Sequence, residues 1–115
     1  MRTLLRWLLR LLPEPMAFRL SFALMMRAPR QPLDDRDRAA LQRARQLRWG
    51  PRNRHAALAW GDAGPCILLI HGWGGRALQM AMLGERLAAA GYRVFAPDLF
   101  AHGASPGRRV HLGRF

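Results

Sequence analysis

Ile67-Leu68-Leu69-Ile70-His71-Gly72-Trp73-Gly74-Gly75 is the stretch from which the rest of the chain is read. Four apolar residues run without a polar break and end in a histidine and a glycine-rich turn. A short apolar run bounded by turn residues predicts a strand buried on both faces, as in a parallel sheet. Residues 76–90, rich in Ala, Leu and Met, then predict a helix, with Gly91 just past its end as a C-cap. Arg93-Val94-Phe95-Ala96-Pro97 predicts a second strand. Strand, glycine turn, helix and strand make a βαβ unit with parallel strands.

At 115 residues, half of them apolar, the chain has the size and composition for one small core. Its formal net charge is +12, and all nineteen basic residues are arginine. Complete replacement of lysine, beside so much Ala and Leu, reads as a base-composition bias of the gene. The basicity therefore says little about nucleic acid. The arginines and the four tryptophans are also spread out rather than interleaved on one face, so no nucleic-acid partner is expected. The charge is lopsided: residues 1–54 carry thirteen Arg against four acids, whereas residues 55–115 carry six against three. The basic half suits acidic partners or anionic lipid. Cys66 is the single cysteine, which excludes an intrachain disulfide and fits a reducing, cytoplasmic compartment. Its place before an apolar run predicts an inert buried thiol.

Residues 1–46 read as a basic, amphipathic helical segment. Arg2, Arg6 and Arg10 are spaced by four and form a stripe on a helix, with Leu4, Leu5, Leu8, Leu11 and Leu12 opposite. Pro13 and Pro15 end it. A second apolar piece runs from Met16 to Met26. Neither piece is an unbroken span long enough to cross a bilayer, and no small-residue cleavage site follows. Two readings stand for residues 1–12: an interfacial helix on a membrane surface, and a helix packed on the rest of the protein. The second takes precedence, because amphipathic helices mostly face cores. Ala28-Pro29-Arg30-Gln31-Pro32-Leu33 reads as a linker. Asp34 or Asp35 caps a short helix expected to run through Gln46. Leu47-Arg48-Trp49 and His55–Trp60 then predict a hairpin around Gly50-Pro51-Arg52-Asn53. Leu112 and Phe115 are expected to face a core.

The glycine turn admits two chemistries. Gly72-Trp73-Gly74-Gly75-Arg76-Ala77 matches G-x-G-x-x-[GA], with Asp98 ending the next strand 21 residues after Ala77. In a dinucleotide site the pyrophosphate would sit on the helix N-terminus and Asp98 on a ribose hydroxyl. Against it stand the bulk of Trp73 where backbone must approach phosphate, the histidine at the strand end, and the hairpin before the glycine strand. The other chemistry is an oxyanion hole, in which backbone N–H groups of a tight turn face the oxygen that becomes negative.

A second block bears on this choice: Asp98-Leu99-Phe100-Ala101-His102-Gly103-Ala104-Ser105. With the His71-Gly72-Trp73-Gly74-Gly75 turn at this separation, residues 56–107 resemble the N-terminal part of the α/β-hydrolase superfamily, in its esterase/lipase-like branch. The second block is similar to the family's Asp-x-x-Gly-x-Gly-x-Ser loop and departs from it at Ala101, where glycine is usual. The resemblance covers under half the chain, and the first 46 residues carry none of these motifs. It implies an α/β fold: a β-hairpin and βαβ unit from the N-terminal part of the hydrolase sheet, over residues 47–115, preceded by the basic helical segment. It also implies that the Trp73 N–H is an oxyanion-hole donor, that its indole lines a substrate pocket, and that His71, Gly72 and Gly74 shape the turn. Asp98, His102, Gly103 and Ser105 would form a loop beside the site.

Gly103-Ala104-Ser105-Pro106-Gly107 also matches the nucleophile elbow G-x-S-x-G. The elbow uses the N–H of the residue after the serine, and Pro106 has none. No strand leads into Ser105 either, so it is expected to be a loop residue bonded to nearby backbone. Ser21, the other serine, lies in an apolar helical stretch. Asp98 does not suit a triad acid, because the family order is serine, acid, histidine; it is expected to fix the turn. No catalytic nucleophile, acid or base is therefore expected in these residues. His55, His71, His102 and His111 follow no zinc spacing, and no cofactor is implied. The expectation is a segment truncated before the elbow of a serine hydrolase acting on an ester or related acyl bond. The rivals are a dinucleotide-binding enzyme and a non-catalytic membrane-surface or partner-binding module.

Overall fold

The computed structural model describes residues 1–110. Leu112 and Phe115, expected in a core, lie outside the described residues. Three helices come first: α1 (Arg2–Arg10), α2 (Glu14–Met25) and α3 (Asp35–Arg43). Pro13 stands between α1 and α2, where a ring without an N–H cannot continue a helix. Asp34 starts α3 through a reciprocal cap: its Oδ1 accepts from the Asp37 N–H at 2.7 Å, and Asp37 Oδ2 accepts from the Asp34 N–H at 3.2 Å.

The sheet follows. Strands β1 (Arg45–Trp49) and β2 (His55–Trp60) form the hairpin. Strand β3 (Cys66–Leu68) leads through the glycine turn and a 3-10 turn at Ala77–Met80 into α4 (Ala81–Ala89). Strand β4 (Arg93–Pro97) closes the βαβ unit. The strand order is β1-β2-β4-β3, with β2 antiparallel to both neighbours and β3 parallel to β4, Ile67 opposite Val94. The end of α4 is a Schellman stop: the Gly91 N–H reaches Ala88 O and the Tyr92 N–H reaches Leu87 O, each at 3.1 Å. Gly91 has φ +96°, which glycine adopts without a Cβ penalty.

The core forms where α4 and the 3-10 turn cover β2 and β4. Leu58, Trp60, Leu78, Ala81, Val94 and Ala96 are its buried centre, and Leu33, Leu41 and Ala44 of the α3 region pack against it. The mixed α/β architecture expected from the sequence is therefore present, hairpin and βαβ unit included.

Several local expectations are corrected. Helix α3 ends at Arg43 rather than Gln46, and β1 begins at Arg45 rather than Leu47. Arg45 pairs with Ala59 in the ladder, and its guanidinium reaches Asp62 Oδ1 at 2.7 Å and Gly61 O at 2.8 Å. Sheet pairing overrides a helical pattern there. Strand β3 is not buried on both faces: Leu68 is 59% and Ile70 49% exposed, because among the described residues β3 lies at the end of the strand order and pairs only with β4. Its continuation stays attached through the Leu69 N–H on Phe95 O. Cys66, at the start of this outer strand, is exposed rather than buried. Helix α1 has no buried residue among those described.

Candidate functional site

The carboxyl ends of β3 and β4 point the same way, so the chain after each meets at one edge of the sheet. Two segments come together there, the turn at 71–75 and the loop at 98–107. In open α/β sheets this edge is where ligands bind.

Histidines tie the two segments. His71 Nε2 accepts the Leu99 N–H at 3.0 Å, which leaves Nδ1 to carry the proton and donate to Gly72 O at 2.8 Å. His102 repeats this in the other direction: Nε2 accepts the Gly74 N–H at 3.1 Å and Nδ1–H donates to Phe100 O at 3.0 Å. Both side chains are buried, and their ring centroids lie 5.0 Å apart. All four ring nitrogens are bonded to backbone, so neither histidine has a lone pair left for a metal or for proton transfer. The histidine at the strand end is a brace, and so is the one in the loop.

Asp98 is the third brace. Its Oδ1 accepts from the Ala77 N–H at 2.7 Å and its Oδ2 from the Ala104 N–H at 2.8 Å. The carboxylate thus sits at the start of the helical segment that follows the glycine turn, where negative charge is favoured, and also fixes the opposite loop. A Cβ on Gly103 would overlap this carboxylate, so glycine is required there. The dinucleotide reading needs Asp98 free for a ribose and the helix start free for a pyrophosphate. Asp98 is buried, both its oxygens are engaged, and it occupies a donor at that helix start.

Ser105 is buried with its hydroxyl donating to Asp98 O at 2.6 Å and accepting the Ala56 N–H at 3.0 Å. It stitches the loop to the first residues of β2, 49 positions away. Its role is that of a backbone-bonded loop residue, as the missing N–H of Pro106 led one to expect.

Trp73 differs from its neighbours. Its side chain is 48% exposed, with the indole edge-on to His102 at 5.4 Å. The Gly75 N–H closes the turn on Gly72 O at 3.0 Å, and Gly74 takes φ +68°. Among the described residues no hydrogen bond engages the Trp73 N–H. A cavity of about 260 Å³ opens beside Asp98, between α3 and the sheet, but its lining includes Arg76 and Asp98 and none of residues 71–75.

One contributor was invisible in the sequence. The proline linker lies across this edge rather than away from it. Arg30 Nη2 donates to Ser105 O at 2.7 Å and to Gly107 O at 2.9 Å, and Met26 O accepts the Val110 N–H at 2.8 Å. The Pro29 ring lies against Gly74. Two prolines signal an extended segment, but nothing in their spacing tells where it docks.

Residues 61–115 match the family described as serine aminopeptidase, S33, of the Hydrolase_4 type. Residues 61–115 are a segment of α/β-hydrolase type. A carboxylesterase of Bacillus subtilis (strain 168) is 40% identical to this chain over 47 residues, 41% of the chain and 19% of the relative. The match thus spans about a fifth of the carboxylesterase's length. No solved structure matches the chain. The relationship is to hydrolases, and the hydrolase segment contains both the glycine turn and the Asp98–Ser105 loop.

Proposed function

We propose that this chain is the part of a serine hydrolase that supplies the oxyanion turn for cleavage of a carboxylic ester or related acyl bond. The observation that carries the reading is the Trp73 N–H: it has no partner among the described residues, in a turn braced on either side by His71 and His102. Fixed, unpaired donors of this kind stabilise a developing oxyanion because they need no reorganisation during reaction. His71, Gly72 and Gly74 hold the turn, and the Trp73 indole faces the substrate. Asp98, His102, Gly103 and Ser105 hold the loop beside it. The nucleophile, acid and base are not among the residues of this chain in this reading, and the intact enzyme brings them. A small ester as substrate completes it.

The test is labelling of the intact protein with a fluorophosphonate, followed by mapping of the modified serine. A label outside residues 1–115, with the 115-residue chain inert toward both the reagent and p-nitrophenyl acetate, is the expected result. Turnover by the chain alone that disappears in Ser105→Ala overturns the assignment.

A further inference from the structure

Helices α1 and α2 leave an unusual surface. In α1, Leu4, Trp7 and Leu8 are 65%, 60% and 51% exposed, and Leu11 directly after it is 81% exposed. Arg2, Arg6 and Arg10 occupy the opposite face, and Arg10 lies over the Trp7 ring at 5.4 Å. In α2, Met16, Phe18 and Met25 are more than half exposed, and no residue is buried. Residues 1–25 hold four arginines against one acid, Glu14. Among the described residues no helix is long and apolar enough to cross a membrane. A short helix with an apolar face and an arginine stripe has the composition of one that lies in the headgroup region, with its cations on anionic lipid.

This arm is fastened to the site. Met26, directly after α2, bonds to Val110, and only three residues further Pro29 lies against Gly74. Three residues reach at most about 10 Å. Arg30 then holds the carbonyls of Ser105 and Gly107. The C-terminal end of α2 therefore lies next to the 71–75 turn and the 98–107 loop.

We propose that α1 and α2 form an interfacial arm that docks on an anionic lipid surface and holds the His71–Gly75 turn beside it. The anionic bilayer is favoured over a protein partner because the basic stripe and the apolar face are separated around one helix, the arrangement a charged interface over an apolar interior complements. The placement of the turn as a reaction site rests on the acyl-hydrolase reading; the docking does not.

The experiment uses the 115-residue chain and vesicles of phosphatidylcholine with or without 30% phosphatidylglycerol, read by sedimentation. Binding is expected on the anionic vesicles and to weaken with salt. Replacing Arg2, Arg6 and Arg10 together by glutamine is expected to reduce it about a hundredfold, since each cation near such a surface contributes about fivefold. Leu8→Glu with Leu11→Glu, both exposed and so harmless to the fold, is expected to abolish it. A fluorophore sensitive to polarity on Ala104→Cys, in a Cys66→Ser background, should shift to the blue on binding, while one on native Cys66, at the far end of β3, should not. No binding, or equal binding without residues 1–25, overturns the docking. Binding with an unchanged signal at position 104 overturns the placement of the turn. A chain that self-associates and ignores vesicles assigns the apolar faces to a second copy instead. Because no turnover is measured, failure here leaves the hydrolase reading standing, and a fluorophosphonate result against that reading leaves the docking standing.

Discussion

The backbone N–H of Gly74 donates to Nε2 of His102, 28 residues later, at 3.1 Å. This bond joins the glycine turn to the loop after β4, and the reciprocal one from Leu99 to His71 makes the connection two-sided. The two bonds run in opposite directions and fix the turn against the loop.

His102→Ala should therefore release the turn. It leaves the Gly74 N–H and the Phe100 carbonyl without partners and empties a fully buried site. An orphaned buried donor costs about 1–3 kcal/mol, and the lost volume adds to it. Urea titration should show the loss, and hydrogen exchange at Gly74 should accelerate selectively. Gly74 exchange unchanged while stability falls would place the role of His102 in packing alone.

Ser105→Ala removes two hydrogen bonds at once and strands the Ala56 N–H. A destabilisation of about 1–3 kcal/mol is expected. The intact enzyme should nevertheless keep its turnover at temperatures where the variant is folded, since Pro106 offers no oxyanion donor. Thermal melting and an ester assay on the same preparation separate the two effects.

At Gly84 helix propensity and packing oppose each other. Alanine there gains about 1 kcal/mol of helix propensity. Its Cβ, however, would overlap the Trp60 indole, 4% exposed in the core. Overpacking typically costs about 1–3 kcal/mol, so Gly84→Ala should lower stability on balance. A higher unfolding midpoint would mean that α4 can slide off Trp60 freely.

Ala101 stands in the left-handed region at φ +64° and is 1% exposed. That conformation costs an L-residue roughly 1–2 kcal/mol, which is why glycine is usual at this place in similar loops. Ala101→Gly relieves the strain but loses a buried methyl and adds unfolded-state entropy, about 0.8 and 0.5–1 kcal/mol respectively. The change should be near neutral. Ala101→Val, β-branched and buried, should be markedly worse than either in a denaturant titration, and parity between Val and Gly would contradict the strain.

Much of this was legible in the sequence because it is local. An unbroken apolar run, a glycine turn and a capped helix are dictated by near-neighbour sterics and hydrogen bonding. So is the βαβ unit, a strand, turn, helix and strand in sequence. What stayed hidden depended on contacts far along the chain. The exposure of β3 and Cys66 follows from strand order, which a strand's own residues do not encode. Helix α3 yields to β1 at Ala44 because Arg45 finds Ala59 and Asp62. The braces made by His71 and His102, and the path of residues 26–30 across the site, arise from bonds spanning 28 to 84 positions. Sequence thus determined which elements form, through short-range geometry, whereas tertiary structure decided which buried polar groups pair, because a hydrogen bond needs its partner in space and not in order.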